Sequence, residues 1–220
     1  MNKRLCVCHA GLCLALSLGL AGPAFSQSEE RPVTINAGAG LTTITGFDAG
    51  RLDHGGNVQV GGGHFFNQYF GITGNFMFNQ LGITRSELNT LNQPDGSARV
   101  YSVTADPTLR IPLHGGWSAY VLAGGGYLRR TVEFTRPTLA QTVIFDPWWG
   151  YFGPALVPVN QILGSVTSNS GVVDVGGGLN IPLPGASSKG VHLFLESRYF
   201  HGFTSNSNTT LVPITFGVRW

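Results

Sequence analysis

The sequence predicts an all-β fold, in which eight antiparallel strands form an up-and-down barrel that crosses a membrane. Three observations point to this fold. Segments of roughly ten residues with alternating apolar and polar positions recur along the chain. Charge is scarce: Asp, Glu, Lys and Arg make up 11% of the 220 residues, less than half the usual globular share. Finally, short connections between the segments alternate with long ones.

The composition also excludes several classes of protein. A chain that is 42% hydrophobic and 11% aromatic, with a formal net charge of +2, does not have the composition of a disordered protein. No basic run is longer than Arg129-Arg130, so we expect no nucleic-acid partner. No stretch after residue 26 is long and apolar enough for a transmembrane helix.

Residues 1–26 have the layout of a secretory signal peptide. Lys3 and Arg4 precede the apolar segment Ala10–Ala21, and Ala24-Phe25-Ser26 then places small residues before a cleavage site at Gln27. A retained membrane anchor is the alternative, but the apolar segment is short for a bilayer span. We therefore expect residues 27–220 to form the barrel domain. All three cysteines lie within residues 1–26, so no disulfide or thiolate site is expected in the mature chain.

The strands are identified by their alternation, since successive side chains of a strand point to opposite faces. The last segment is the clearest, with Val212, Ile214, Phe216, Val218 and Trp220 on one face. The fifth segment is ambiguous, because Tyr120 and Leu122 compete with Trp117, Val121 and Tyr127 for the apolar face. The eight predicted strands are Val33–Thr43, Asn57–Phe66, Tyr69–Gln80, Arg99–Ile111, Trp117–Arg130, Gly171–Leu183, Val191–His201 and Thr210–Trp220.

The connections predict which end of the barrel faces which compartment. Short turns at Asn67-Gln68, Pro112–Gly115 and Pro184–Gly190 are typical of the periplasmic end of a bacterial outer-membrane barrel. The longer connections between them are typical of its extracellular end; they are Ile44–Gly56, Leu81–Ala98, Thr131–Ser170 and Gly202–Thr209. A strand of about 11 residues tilted by about 40° rises roughly 28 Å, enough for the apolar band of about 25 Å.

The number of charges favours a membrane barrel over a water-soluble one. The polar faces of the predicted strands carry too few charges to solubilise an exterior. An Arg or Lys facing lipid at the membrane midplane would cost roughly 2–4 kcal/mol, so these groups should point into the lumen and pair there. We expect a lumen charge network that plugs the barrel, formed by Asp106, Arg110, Asp174, Glu196, Arg198 and Arg219.

Three strands carry a resemblance to a known family. The ending Val212–Trp220 resembles the terminal strand of outer-membrane barrels of the OmpA-like superfamily, Leu195–Tyr199 resembles their penultimate strand, and Tyr120–Tyr127 resembles a central strand. The resemblance implies a location in the bacterial outer membrane, in contact with its lipid. It also implies that Ile214, Phe216, Val218 and Trp220 form the signal read by the barrel assembly machinery. We expect no peptidoglycan-binding domain after the barrel.

The segment Thr131–Ser170 is the most unusual connection, with Trp148, Trp149, Tyr151 and Phe152 close together in it. One interpretation is an exposed aromatic surface that binds an extracellular partner or rests on the outer leaflet. The other is a loop that folds back and caps the mouth of the barrel.

We find no catalytic, cofactor or metal site in the sequence. The five histidines after residue 26 have no metal-ligand spacing. His201 precedes Ser205 and Ser207, but a histidine beside solvated serines at the rim is the simpler interpretation. The sequence therefore predicts a non-enzymatic outer-membrane protein with a structural or adhesive role. The alternatives are a small passive pore, which conductance would reveal, and a lipid-modifying enzyme.

Overall fold

Eight antiparallel strands pair in chain order and close into a barrel, as predicted. A computed structural model describes residues 32–183, 190–203 and 208–220, without the side chain of Phe47. The predicted signal peptide lies outside these residues. The strands are β1 (Val33–Thr45), β2 (Leu52–Phe65), β3 (Phe70–Ile83), β4 (Asp95–Pro112), β5 (Ser118–Asp146), β6 (Tyr151–Pro182), β7 (His192–Phe203) and β8 (Thr209–Arg219).

The barrel closes between its first and last strands. β1 pairs with β8 over ten consecutive positions, from Asn36 opposite Arg219 to Thr45 opposite Thr210. Closure leaves no unpaired edge along the barrel wall, which is a requirement for strands that cross a bilayer, where no water can satisfy a free N–H or C=O group.

The alternation in the sequence corresponds to the two faces of this wall. Ile214 and Phe216 are half exposed on the outer surface, whereas their neighbour Thr215 is buried in the lumen. The ambiguous phase of the fifth strand is also resolved, because Tyr120 and Leu122 point inward and are buried. The barrel therefore has an apolar exterior and a mainly polar interior.

The two ends of the barrel differ as the connection lengths predicted. At one end, which we call the short-turn end, residues 66–69 join β2 to β3 and residues 113–117 join β4 to β5. At the other, the long-connection end, a 3-10 helix (Gly46–Gly50) follows β1 and helix α1 (Arg85–Thr90) follows β3. Most of the predicted turn Pro184–Gly190 and half of the connection Gly202–Thr209 lie outside the described residues. No helix in the described part of the chain is long and apolar enough to cross a membrane.

The prediction of a long loop over Thr131–Ser170 is wrong. β5 continues to Asp146 and β6 begins at Tyr151, and the two strands stay paired along this whole length. Only a four-residue turn, Pro147–Gly150, separates them. Beyond Thr135, β5 has no contact with β4 in the ladder, so residues 136–161 form a two-stranded ribbon that extends past the barrel rim.

Candidate functional site

The centre of the lumen is organised around one arginine. Arg198 is almost fully buried, and its Nη1 lies 2.8 Å from Asp106 Oδ2 and 3.2 Å from Asp174 Oδ2. Its Nε lies 2.7 Å from Glu196 Oε1 on the same strand. The planar guanidinium presents several N–H donors in a fixed geometry, and here it holds three carboxylates from three strands.

A second arginine extends this group towards the short-turn end. Arg219 Nη2 lies 3.6 Å from Glu196 Oε2, and the Tyr120 hydroxyl donates a hydrogen bond of 2.7 Å to the same oxygen. The Arg219 guanidinium also stacks over the Tyr120 ring, 4.4 Å from its centroid. We call Asp106, Asp174, Glu196, Arg198 and Arg219 the lumen cluster; it contains one more carboxylate than guanidinium groups.

Neutral side chains satisfy further atoms of the cluster. Gln59 Nε2 donates to Glu196 Oε1 at 2.9 Å, and both Asn75 and Thr104 donate to Asp106 Oδ2 at 3.0 Å. A buried charge is costly unless such partners replace its water. The cluster thus links β2, β3, β4, β5, β6, β7 and β8 across the lumen.

Gly124 makes room for the two aspartates. It pairs with Asp174 on β6, and the adjacent pair of Ala105 with Gly125 places Asp106 on its other side. A Cβ atom added at Gly124 would lie only 2.8 Å from the Asp106 Cα, so any side chain here would displace the carboxylate. This glycine, from one of the Gly-Gly-Gly runs, therefore allows Arg198 to reach both aspartates.

Arg110 lies in a different layer of the lumen from the lumen cluster. Its guanidinium carbon lies 3.8 Å from the centroid of the Phe65 ring, next to the short turns. The alternation of side chains along a strand, which we call parity, correctly placed Arg110 in the interior. Parity gives the face of the strand on which a residue lies, but not its depth along the barrel axis.

The half of the lumen next to the long connections is filled by apolar side chains, which the sequence analysis did not predict. Buried side chains from all eight strands pack together there, above the lumen cluster. We call them the upper lumen core, and they are Ile44, Leu52, Met77, Leu81, Ala98, Val100, Leu128, Val172, Phe200 and Leu211. The lumen is therefore occupied by a polar layer and an apolar layer in series.

An ion pair holds the first long connection over the barrel mouth. Asp48, in the 3-10 helix after β1, is buried, and its Oδ2 lies 2.9 Å from Arg130 Nη1. The same Arg130 nitrogen donates to Thr209 Oγ1 at 2.9 Å. The contact joins the 3-10 helix to β5 and β8 above the upper lumen core.

The ribbon has one strongly apolar face. One face continues the exterior of the barrel, because the pairing of β5 has no extra residue on β5 from Val121 to Phe145. Phe145 and Phe152 are paired across the two strands with ring centroids 5.1 Å apart. We call this the outer face of the ribbon; its apolar residues are Leu139, Val143, Phe145, Phe152, Pro154, Leu156 and Pro158. The opposite face combines small residues and threonines with four larger side chains, those of Ile144, Tyr151, Val157 and Val159.

A polar band separates the ribbon from the apolar exterior of the barrel. Arg99, Arg129, Thr131, Glu133 and Thr167 point outward at the base of the ribbon. Arg99 and Glu133 form an ion pair with 2.6 Å between Nη2 and Oε2. The apolar surface of the barrel therefore ends at this band, and a second apolar surface begins beyond it.

The tip of the ribbon exposes aromatic side chains to solvent. Trp148 is 88% exposed and Trp149 is 75% exposed, and Tyr151 and Phe152 are exposed as well. Of the two interpretations of this segment, the structure therefore contradicts a cap folded back on the barrel mouth. The aromatic side chains are instead available to a partner.

The sequence identifies the family. The family model for the outer membrane protein beta-barrel domain matches residues 12–220, almost the whole chain. The chain belongs to this family. As an outer-membrane barrel, it crosses the bilayer with the strands described above, and the short turns are periplasmic whereas the ribbon is extracellular.

Three solved structures are similar to this outer-membrane barrel, and the first of them supports its fold. Neisserial surface protein A is 14% identical with a TM-score of 0.54, and the match covers 86% of this chain and 96% of that one. The attachment invasion locus protein Ail of Yersinia pestis is 20% identical with a TM-score of 0.46 and coverages of 86% and 97%. OprG from Pseudomonas aeruginosa is 9% identical with a TM-score of 0.42 and coverages of 84% and 94%. No curated protein sequence matches the chain.

The residues of the expected assembly signal lie on the lipid-facing side of the outer-membrane barrel. Ile214, Phe216, Val218 and Trp220 alternate with buried residues of β8, and the three with the greatest exposure are Ile214, Phe216 and Trp220. Their arrangement is a row of apolar and aromatic side chains along the last strand.

His201 of the outer-membrane barrel contacts a threonine and an aromatic ring. His201 Nδ1 lies 3.2 Å from Thr210 Oγ1, and its ring packs edge-on against Phe203. The serines at 205 and 207 lie outside the described residues. Among the residues that the structure describes, no group of three or more His, Cys, Asp or Glu side chains is placed to hold a metal ion.

The sequence contained signals for some of the residues that were missed. Gln59 and Asn75 alternate in phase with inward polar positions, so their contact with the lumen cluster follows from parity. Phe200 follows Glu196 and Arg198 at the same parity on β7, which places an aromatic ring in the lumen. No signal in the sequence gives the depth of Asp48 in the barrel mouth.

Proposed function

We propose that this chain is a non-enzymatic surface protein of the outer membrane, whose closed barrel anchors an adhesive ribbon. The observation that carries the proposal is the ribbon tip, where Trp148 and Trp149 extend into solvent on a long paired stem. Large apolar patches on a protein surface that faces water are typical of interaction sites. The eleven residues from Arg136 to Asp146 alone place the tip about 36 Å from the barrel rim, at about 3.3 Å per residue.

The proposal includes two segments that direct export of the chain and assembly of the barrel. We assign residues 1–26 as the signal peptide that directs the chain out of the cytoplasm. We assign Ile214, Phe216, Val218 and Trp220 as the signal for the barrel assembly machinery. Their exposed row on β8 supports this assignment, because a recognition signal must be accessible before the barrel closes.

Adhesion tests the proposal directly. Cells that display the wild-type protein should attach to cultured cells or to other bacteria, and the double variant Trp148→Ala/Trp149→Ala should reduce attachment to the level of cells without the protein. Trp117→Ala, at the periplasmic end, is the matched control and should attach normally. Equal melting temperatures and equal gel shifts on boiling establish that all three proteins are folded. Normal attachment by the double variant would contradict the proposal.

The role of the barrel as an anchor predicts its electrical behaviour. An eight-stranded barrel is only just wide enough for its own side chains, and here the lumen cluster and the upper lumen core occupy it in series. The purified protein should therefore give no stable single-channel conductance in planar bilayers at moderate voltage. Large and stable conductance steps would favour a passive pore instead.

A further inference from the structure

The turn at the ribbon tip provides hydrogen-bond donors for its one charged group. From Pro137 to Ser170 the only charged residue is Asp146. Its Oδ1 accepts hydrogen bonds from the backbone N–H groups of Trp148, at 2.8 Å, and Trp149, at 3.3 Å. Gly150 closes the turn with a hydrogen bond of 2.8 Å to the Asp146 carbonyl, in a left-handed conformation (φ 68°) that favours glycine. The carboxylate thus has protein donors in place of some of its water.

This turn holds the aromatic side chains in an exposed group. Trp148 and Trp149 occupy its centre, and the paired rings of Phe145 and Phe152 stand directly below. Tyr151 completes the group. Tryptophan and tyrosine are enriched at membrane–water interfaces, because each has an apolar body and one polar group. A tip that combines them with phenylalanine, and whose one carboxylate accepts two backbone hydrogen bonds, is suited to a lipid surface.

The free edge of β6 disfavours a second strand as the partner. Pro154 and Pro158 lie in β6, and its pairing with β5 is unbroken across both of them. Their missing N–H groups therefore face the free edge, where an added strand would need donors. Proline at an exposed edge is a known protection against strand addition. The apolar outer face, rather than this edge, is available for contact.

The outer face resembles the lipid-contacting surface of the barrel in composition and orientation. The same alternation of β5 that turns Val121 towards lipid turns Leu139 and Val143 outward on the ribbon. The polar band that includes Arg129 and Glu133 lies between the two surfaces. Because the protein's own apolar layer ends below that band, a lipid surface that contacts the tip belongs to another membrane.

We propose that the ribbon tip binds the phospholipid bilayer of an apposed membrane and inserts Trp148, Trp149 and Phe152 into its interface. This inference rests on the proposed adhesive function and assigns the partner of the same tip. The hydrophobic effect drives the contact, so binding does not require anionic lipid.

Vesicle flotation tests the inference with the full barrel. The protein is reconstituted in nanodiscs and mixed with protein-free phosphatidylcholine vesicles, with empty nanodiscs as the blank. We expect the wild-type protein and Trp117→Ala to float with the vesicles, and Trp148→Ala/Trp149→Ala to bind at least tenfold more weakly. Phosphatidylglycerol added to the vesicles should change binding less than twofold. Salt at about 0.5 M, which largely screens surface charges, should also change binding less than twofold. Brominated lipid, placed in the vesicles and not in the nanodiscs, should quench the tryptophan fluorescence of the wild-type protein. It should not quench the fluorescence of Trp148→Ala/Trp149→Ala.

The outcomes separate this inference from the proposed function. If wild-type cells adhere through Trp148 and Trp149 but the protein does not bind vesicles, the bilayer is not the partner and the adhesive function stands. Loss of adhesion after protease treatment of the target cells would then identify a protein partner. If neither adhesion nor vesicle binding occurs, both proposals fail. Binding that requires anionic lipid would also overturn the inference, because a charged group would then provide the contact.

Discussion

Arg198→Ala is expected to lower the free energy of unfolding by about 3–5 kcal/mol, the usual cost of removing one partner from a buried ion pair. Asp106, Asp174 and Glu196 would remain buried in the lumen, and Glu196 is the one of these three carboxylates that Arg219 contacts. Mutual repulsion of the carboxylates then adds to the loss of their partner. Denaturant titration of the protein folded in detergent micelles, followed by the gel shift of the closed barrel, measures the change.

Two further variants establish that the loss comes from unpaired charge. Arg129→Ala removes an exposed arginine from the outer surface and should change stability by less than about 0.5 kcal/mol. Adding Asp174→Asn to Arg198→Ala removes one of the orphaned carboxylates, so the double variant should be more stable than Arg198→Ala alone. A loss below about 1 kcal/mol for Arg198→Ala would contradict the central role of this guanidinium.

Phe200→Ala is expected to cost about 3–5 kcal/mol, because it leaves a cavity in a close-packed interior. Phe200 is 2% exposed and packs within the upper lumen core, together with Leu128 and Leu211. The same denaturant titration measures the effect.

Graded variants at this site separate packing from a general sensitivity to aromatic loss. Phe200→Leu retains most of the volume and should lose less than about 1.5 kcal/mol. Phe152→Ala, on the exposed ribbon, should leave the unfolding free energy unchanged within about 0.5 kcal/mol. Equal losses from Phe200→Ala and Phe152→Ala would show that the upper lumen core does not stabilise the barrel.

Side-chain parity made the barrel predictable from the sequence. A strand with one face in lipid and the other in a narrow polar lumen must alternate strictly, and β8 does so from Val212 to Trp220. Parity also correctly placed Asp106, Glu196 and Arg198 in the interior. Because seven of the eight strands had a clear phase, the number and order of the strands followed directly.

The ribbon could not be predicted in the same way, because neither of its faces is covered. Apolar and small residues follow each other in Val143-Ile144-Phe145 and in Ala155-Leu156-Val157, so no period of two is visible. Pro154 and Pro158 also counted against a strand, since a strand in the middle of a sheet does not tolerate them. Both strands of a ribbon are edge strands, however, and an edge accommodates proline.

The composition of the lumen was predicted only in part, because a sequence pattern gives the face of a residue but not its depth. Arg110 and Arg198 share a parity but lie in different layers, one over Phe65 and the other between two aspartates. The upper lumen core was missed for the same reason. Its leucines and Phe200 are in phase with polar residues, and a purely polar lumen was the simpler interpretation.

The pairing of β1 with β8 determines when, during folding, the exposed backbone edge of β1 is no longer available for aggregation. Asn36 meets Arg219, so the junction joins residues from opposite ends of the described chain and has the largest loop-closure entropy of any contact in the sheet. Until β8 arrives, β1 presents a row of unsatisfied backbone groups that can template pairing with a neighbouring chain. The backbone groups of β1 are therefore covered only after the whole chain has been made and its last strand has paired.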